Sequence, residues 1–280
     1  MTFNNELISE LTKKAAKLRR NILTCVGPDY TGHFGGSFSL ADMAAALYFH
    51  KMKHDPKDRY MPDRDRFLLS KGHVAIVQYS ALAECGYFSI EELAQTKKIS
   101  SRLQGHPDLI KCRDIGIEAG TGSLGQGLSI GVGMALGLRL DKIDAKVYVV
   151  LGDGELAEGQ NWEAAMSAAR FGLNNLVAIV DKNDKQAQGA LKDRFDQGFL
   201  AEKWAAFGFH VIETDGHNME SILNALYSAD EVTDKPIAII SHTIKGKGLE
   251  FTEAHPAGFH NAAMSKEQFD IALKVFGGEE

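Results

Sequence analysis

Two oxygen-bearing side chains carry the clearest chemistry in this sequence. Asp153 sits in Gly152-Asp153-Gly154, and Asn183 closes Asp181-Lys182-Asn183, 30 positions on (183 − 153). A carboxylate and an amide oxygen are hard ligands. They suit Mg²⁺, which keeps water and takes its remaining ligands from phosphate oxygens. A Gly-Asp-Gly alone is more often a tight turn, so the intervening chain must bring the two residues together. Four histidines, His33, His73, His106 and His260, lie in glycine-flanked loops. An intrinsic pKa of about 6.5 makes imidazole suited to moving protons on hydroxyls at neutral pH. None of the histidines has zinc spacing. Gly122-Ser123-Leu124 precedes a long Gly/Ala-rich segment. The free N–H groups and dipole of such a helix start favour an anion such as a diphosphate, although glycines kept for packing give the same pattern. Gly154 has no side chain to block a second phosphate.

The elements that must position these groups follow from periodicity. Lys146–Leu151 is a β-branched run, and Asn161–Phe171 carries Trp162, Ala165, Met166 and Ala169 at helical spacing before Gly172. Leu176–Val180 is a second apolar run. Together they predict strand, helix and parallel strand with a right-handed crossover. Parallel strands end on one edge, so Asp153 and Asn183 are expected to meet at the carboxyl edge of the sheet, where such folds bind ligands. Upstream, Glu6–Val26 reads as an amphipathic helix. Ser39 with Asp42 has capping-box form and is expected to open a helix through about Met52. Arg66–Ser70, His210–Glu213 and Pro236–Ser241 read as strands. Gly127, Gly131, Gly133 and Gly137 stripe one helix at a cost of roughly 1 kcal/mol each relative to alanine, which predicts a compensating close contact. With no linker or repeat, residues 1–280 read as one doubly wound α/β domain, a mainly parallel sheet with helices on both faces.

Composition bounds the function. The chain is 44% hydrophobic and 24% charged, ample for a core. A formal net charge of −6 argues against nucleic acid or anionic membrane as partner. Cys25, Cys85 and Cys112 form neither a metal motif nor a disulfide framework, and this fits a reducing cytoplasm. No signal-peptide core or membrane-length apolar run is present, so a cytoplasmic protein is expected.

The Gly-Asp-Gly and the Asn thirty residues later resemble the thiamine diphosphate motif. The segments TGHFGGSFS, FLLSKGH, GHPD, TGSLGQG, GDGELAEG, DKN and TIKGKG occur in the order seen in transketolases and span nearly the whole chain. The resemblance is to the amino-terminal, diphosphate-binding half, as in the N-terminal subunit of a split transketolase. It implies transfer of a two-carbon ketol unit from a ketose phosphate to an aldose phosphate, with thiamine diphosphate and Mg²⁺, for which Ca²⁺ or Mn²⁺ could substitute. It assigns the metal to Asp153, Asn183 and a backbone carbonyl of Lys185. It assigns the diphosphate side of the cofactor to His73, Gly122, Ser123, Leu124, Gly154, Glu155 and Asn183. His33, His106 and His260 would face the sugar, with His260 also near the diphosphate and His255 competing for that place. Glu158 and Glu163 would lie at the subunit contact. The partner implied is a separate C-terminal subunit with the pyrimidine-binding and C-terminal domains, in a dimer of heterodimers. Phe34 and Ser37 replace proline-type residues after His33, pointing to a loop shaped for a different donor. Ala187 stands where a larger aliphatic residue often packs on the thiazolium. A 2-oxo-acid dehydrogenase α-type chain, a deoxyxylulose-phosphate synthase fragment and a non-catalytic module of the same fold are the alternatives. The histidine loops count against the first two, because a 2-oxo acid offers no run of hydroxyls. The intact Asp153, Asn183 and histidines count against the third.

Overall fold

The structure, a computed structural model, describes residues 3–277. Its main sheet has five parallel strands: β1 (Arg66–Leu69), β2 (Val147–Gly152), β3 (Leu176–Lys182), β4 (His210–Asp215) and β5 (Ile237–His242), in the order β1-β2-β3-β5-β4. Tyr148, Val150, Val177 and Ile179 pack on one face, and Val149, Leu151, Ala178 and Val180 on the other. Burial on both faces is why β2 and β3 read as continuous apolar runs without alternation.

Helices α1 (Asn5–Val26), α2 (Phe34–Ala46), α3 (Ala75–Cys85), α7 (Met219–Ser228) and α8 (Lys266–Gly277) contribute to the first layer. Helices α4 (Gln126–Leu140), α5 (Gly159–Arg170) and α6 (Leu200–Ala206) contribute to the second. The α/β architecture with helices on both faces is therefore as expected. The unit β2–α5–β3 also forms as expected, with Gly152 in register with Asp181. Beyond that pair, Asp153 and Asn183 leave the same edge.

Two local expectations change. Helix α2 begins at Phe34, five positions before Ser39, with His33 as its N-cap. Ser39 lies inside the helix, and its hydroxyl donates to Asp181 Oδ2 at 2.6 Å. A buried acceptor on a neighbouring strand outcompetes the local cap, and every residue of α2 is buried. The helix ends at Ala46 and continues as a π turn over Leu47–Lys51.

The glycine stripe of α4 divides. A Cβ at Gly127 would meet Ser70 Cα at 2.7 Å, and one at Gly131 would meet a Val149 methyl at 2.5 Å. These two glycines let α4 lie against β1 and β2. Among the described residues, nothing lies within 4 Å of such a Cβ at Gly133 or Gly137. No helix among those residues is long and apolar enough to cross a membrane.

Candidate active site

A cavity of about 340 Å³ lies at the carboxyl ends of the strands. The chain after β1 gives it Lys71 and His73, and the chain after β2 gives Asp153, Gly154 and Glu155. Asn183, Lys185 and Ala187 come from the chain after β3, and Lys245 from the chain after β5. His33, Gly122, Leu124 and His260 complete the set of expected residues lining it. Ser123 and His106 line an adjoining open groove. Glu158 and Glu163 are exposed at the start of α5, outside the cavity.

Asp153 is 3% exposed. Its Oδ1 accepts from the Gly154 N–H at 2.8 Å and its Oδ2 from the Asp184 N–H. Burial and then the nearby charge of Asp181 push its pKa up to about 7. A buried carboxylate held by backbone donors is costly until a cation completes it. The site therefore fits a metal. Asn183 Nδ2 donates to Asp181 Oδ2 at 3.3 Å, and its Oδ1 accepts from the Lys185 N–H at 3.2 Å. This fixes which end of the amide is which. Among the described residues no three His, Cys, Asp or Glu side chains gather as a metal cluster. One carboxylate, one amide oxygen and one carbonyl leave room for phosphate oxygens as further ligands.

Sequence reasoning missed the hub beneath these groups. Asp181 is fully buried and accepts from Lys71 Nζ, Ser39 Oγ and Thr243 Oγ1 as well as Asn183. Burial alone would raise its pKa, but the Lys71 ammonium and the hydroxyl donors hold it below the usual carboxylate range. The ion pair and the Thr243 hydroxyl tie the loops after β1 and β5 to the end of β3. Its signal was present in the motifs: Lys71 belongs to SKGH and Asp181 to DKN.

His33, His73 and His260 form a triangle of rings, with centroids 5.0 Å apart for His33–His73 and 5.4 Å for each of the other pairs. His255 is exposed and outside the triangle, so His260 is the histidine that reaches the cavity. Burial, reinforced by neighbouring cations, pushes His33 and His260 down to about 4 and His73 to about 2. All three are neutral at pH 7, so each ring keeps one unprotonated nitrogen, which in His260 is the Nδ1 that faces the Lys245 ammonium. His33 Nδ1 is buried and has no hydrogen-bond partner among the described residues. His106 is more open. Its ring packs against Gly122, where a Cβ would come within 2.6 Å of His106 Cδ2 and φ is +141°. Only glycine fits that position.

Two lysines also escaped the sequence reading. Lys245 Nζ lies 2.9 Å from His260 Nδ1 and donates to the Gln186 carbonyl at 3.3 Å. Burial pushes its pKa down to about 8, so it remains largely charged at pH 7. Lys97 donates to the Thr31 carbonyl, and after burial its charge is the next cause that depresses both His33 and His106. It is a cation on the histidine side.

Three further positions have structural partners that the sequence does not show. Glu155 lines the cavity, yet its Oε1 accepts from Ser70 Oγ and from the Gly125 N–H at 2.9 Å, and its Oε2 from the Gly152 N–H at 3.0 Å. It braces the glycine loop against the ends of β1 and β2 from the cavity wall. Glu155→Ala is expected to lower the unfolding free energy by roughly 2–4 kcal/mol in urea titration, because three buried donors lose their acceptor. Phe34 is fully buried in the core against Phe38, so it does not shape the cavity wall. Ser37 donates to the His33 carbonyl at 2.7 Å and fixes the backbone that carries His33.

A doubly wound sheet whose carboxyl edge joins buried carboxylates, an amide, a glycine loop and buried cations defines a domain for a diphosphate-bearing cofactor. The family profile described as transketolase, thiamine diphosphate binding domain, matches residues 12–280. The chain belongs to the transketolase family, as a subunit of its N-terminal, thiamine diphosphate-binding type. It is 42% identical to a 6-deoxy-6-sulfo-D-fructose transketolase subunit of Clostridium sp. (strain MSTE9), over 94% of this chain and 95% of that one. It is 39% identical to an apulose-4-phosphate transketolase subunit of Actinobacillus succinogenes, over 96% of this chain and 97% of that one. The crystal structure of Campylobacter jejuni transketolase superposes with a TM-score of 0.86 at 30% identity, covering 98% of this chain and 43% of the other.

Proposed function

We propose that this chain is the cofactor-anchoring half of a two-subunit transketolase that moves a two-carbon ketol unit between a ketose and an aldose carrying an anionic end. The observation that carries this reading is the convergence of Asp153 and Asn183 at one sheet edge beside three neutral imidazoles. Bound thiamine diphosphate supplies the carbanion chemistry that cleaves and forms the carbon–carbon bond. The chain's own residues hold, orient and exchange protons. Asp153, Asn183 and the Lys185 carbonyl would take Mg²⁺, and the cation would join the diphosphate to the sheet edge. Gly154 and the Gly122–Leu124 loop offer backbone N–H groups to the phosphates, and Lys245 adds a buried positive charge. His73 stands beside them, between the diphosphate side and the sugar side.

His33, His106 and His260 serve the sugar. Their depressed pKa values keep them neutral, His33 and His106 as acceptors for hydroxyl protons and His260, whose Nδ1 faces Lys245, as a donor through Nε2, and Lys97 offers a cation to the far end of the substrate. Relatives named for a sulfonated ketose and for apulose 4-phosphate support a substrate with an anionic terminus. A dimer of heterodimers with a separate C-terminal subunit is the assembly this reading requires.

His33→Ala and His106→Ala are each expected to lower turnover of a ketose phosphate by about 10²-fold or more in the assembled enzyme, the usual worth of a positioned acid–base group. Calorimetric affinity for thiamine diphosphate with Mg²⁺ should stay within a factor of a few. Equal losses of cofactor and sugar binding would move either residue to the diphosphate side.

A further inference from the structure

Lys245 reaches the cavity on the loop after β5, and one anchor of that loop lies outside the cavity. The Ile244 N–H donates to His217 Nε2 at 2.8 Å. A nitrogen that accepts carries no proton, so the proton of neutral His217 sits on Nδ1 and donates to Asp42 Oδ2 at 2.8 Å. Asp42, 7% exposed, is gripped from its other side by both terminal nitrogens of Arg19, at 2.6 and 3.2 Å. Arg19 in turn donates to the Phe38 carbonyl at 3.0 Å. The imidazole is placed by its own turn as well. The His217 N–H donates to Asp215 Oδ1 at 2.9 Å, and the Gly216 N–H donates to the His242 carbonyl at 2.8 Å. A Cβ at residue 216 would stand 2.3 Å from Ser241 Oγ, so the turn presses directly on the end of β5.

The relay runs from α1 through α2 to the turn after β4, and then to the backbone beside Lys245. The same loop is held elsewhere by Thr243 N–H on the Lys182 carbonyl and Gly246 N–H on the Gly35 carbonyl, each at 2.9 Å. Ile244 sits between those two bonds with its side chain exposed. Without His217 its N–H would turn to water. That exchange costs the fold little, yet it frees the residue next to a lysine that is 4% exposed and aimed at His260.

We propose that His217 is a positioning residue. Asp42 fixes its tautomer, and its Nε2 holds the Ile244 amide so that Lys245 is presented to the anion in the cavity. This rests on the reading that Lys245 faces the cofactor diphosphate.

Two substitutions separate positioning from bulk stability. Glutamine reaches as far as Nε2 and can accept from Ile244. Asparagine reaches only to Nδ1, so it can serve Asp42 and leaves Ile244 without an acceptor. In the full chain, His217→Asn is expected to speed amide exchange across residues 243–248 about tenfold while residues 176–182 stay protected, and to weaken thiamine diphosphate binding with Mg²⁺ about tenfold, the loss of roughly one hydrogen bond. His217→Gln should keep both within about threefold of the parent chain. Lys245→Met should lose the same affinity, and His217→Asn added to it should cost nothing more, because the two act through one contact. Parent-like exchange at 243–248 in His217→Asn, or full additivity with Lys245→Met, overturns the proposal. If Lys245→Met leaves affinity unchanged, the diphosphate reading of Lys245 falls. The exchange comparison of asparagine with glutamine then decides the anchor by itself.

Discussion

Asp153→Asn is expected to abolish Mg²⁺-dependent binding of thiamine diphosphate and, in the same chain without ligand, to make the fold more stable at pH 8. The two effects have one cause. The carboxylate is buried among backbone donors, and its pKa rises from 3.8 to about 7. Between those values the native chain holds a proton there that the unfolded chain has released. Stability from this group is therefore complete below about pH 4 and is lost as pH rises through 7. By pH 8 the penalty is on the order of 4 kcal/mol. Asparagine keeps the acceptor oxygen for one of the two amides and carries no charge to desolvate. Thermal unfolding should show the variant with the higher Tm at pH 8 and the gap closing toward pH 4. Mg²⁺ with cofactor should reverse the order, because a cation turns the same buried charge into the favourable partner. Unchanged calorimetric affinity in the variant would remove Asp153 from the metal site, and a Tm gap that does not depend on pH would remove the buried charge as its cause.

How far the sequence led depended on whether a feature was local. The β2–α5–β3 unit was legible because two continuous apolar runs flank one helical period and Gly172 ends it, so Asp153 and Asn183 could be set on one edge. The histidine cluster was legible only as four glycine-flanked loops. That His33, His73 and His260 meet while His255 stays outside depends on loops 227 positions apart (260 − 33), which no periodicity encodes. Ser39 misled because a Ser-x-x-Asp pattern has the form of a local cap. Its true partner, Asp181, is 142 residues away. Glu155 was read with the motif around it, but its role is set by Ser70 and Gly125, which arrive from other parts of the chain. Lys71, Lys97 and Lys245 were missed for a related reason. A lysine is by default a solvated surface residue, and only tertiary structure reveals that Lys71 and Lys245 are buried at the cavity and that the exposed Lys97 lies near His33 and His106.

The chain by itself is expected to show no transketolase turnover, and to gain it once the second chain, carrying the pyrimidine-binding domain, is added. Two structural observations motivate this. Among the described residues, the cavity lining contains no Phe, Tyr or Trp, and its carboxylates are Asp153 and Glu155 alone. The first is committed to the proposed metal and the second to Ser70, Gly125 and Gly152, so neither is free for the aminopyrimidine, which in this family needs a carboxylate and an aromatic pocket. The second observation is a surface. Leu140 on α4 is 83% exposed, and Met166 on α5 is 55% exposed, with Phe171 just beyond it at 51%. Gly133 and Gly137 leave open space along α4, and Glu158 and Glu163 stand exposed at the start of α5. Adjacent helices with exposed apolar side chains and side-chain-free positions can take another protein chain at close range. On assembly, amide exchange should slow across α4 and α5, and Glu158→Ala with Glu163→Ala should weaken association measured by analytical ultracentrifugation. Activity would be followed as aldose release from a ketose phosphate, with and without the second chain. Turnover by the lone chain, shown by mass spectrometry to be free of any partner, would refute the two-subunit reading. Assembly without slowed exchange at α4 and α5 would leave that reading standing and move the interface elsewhere.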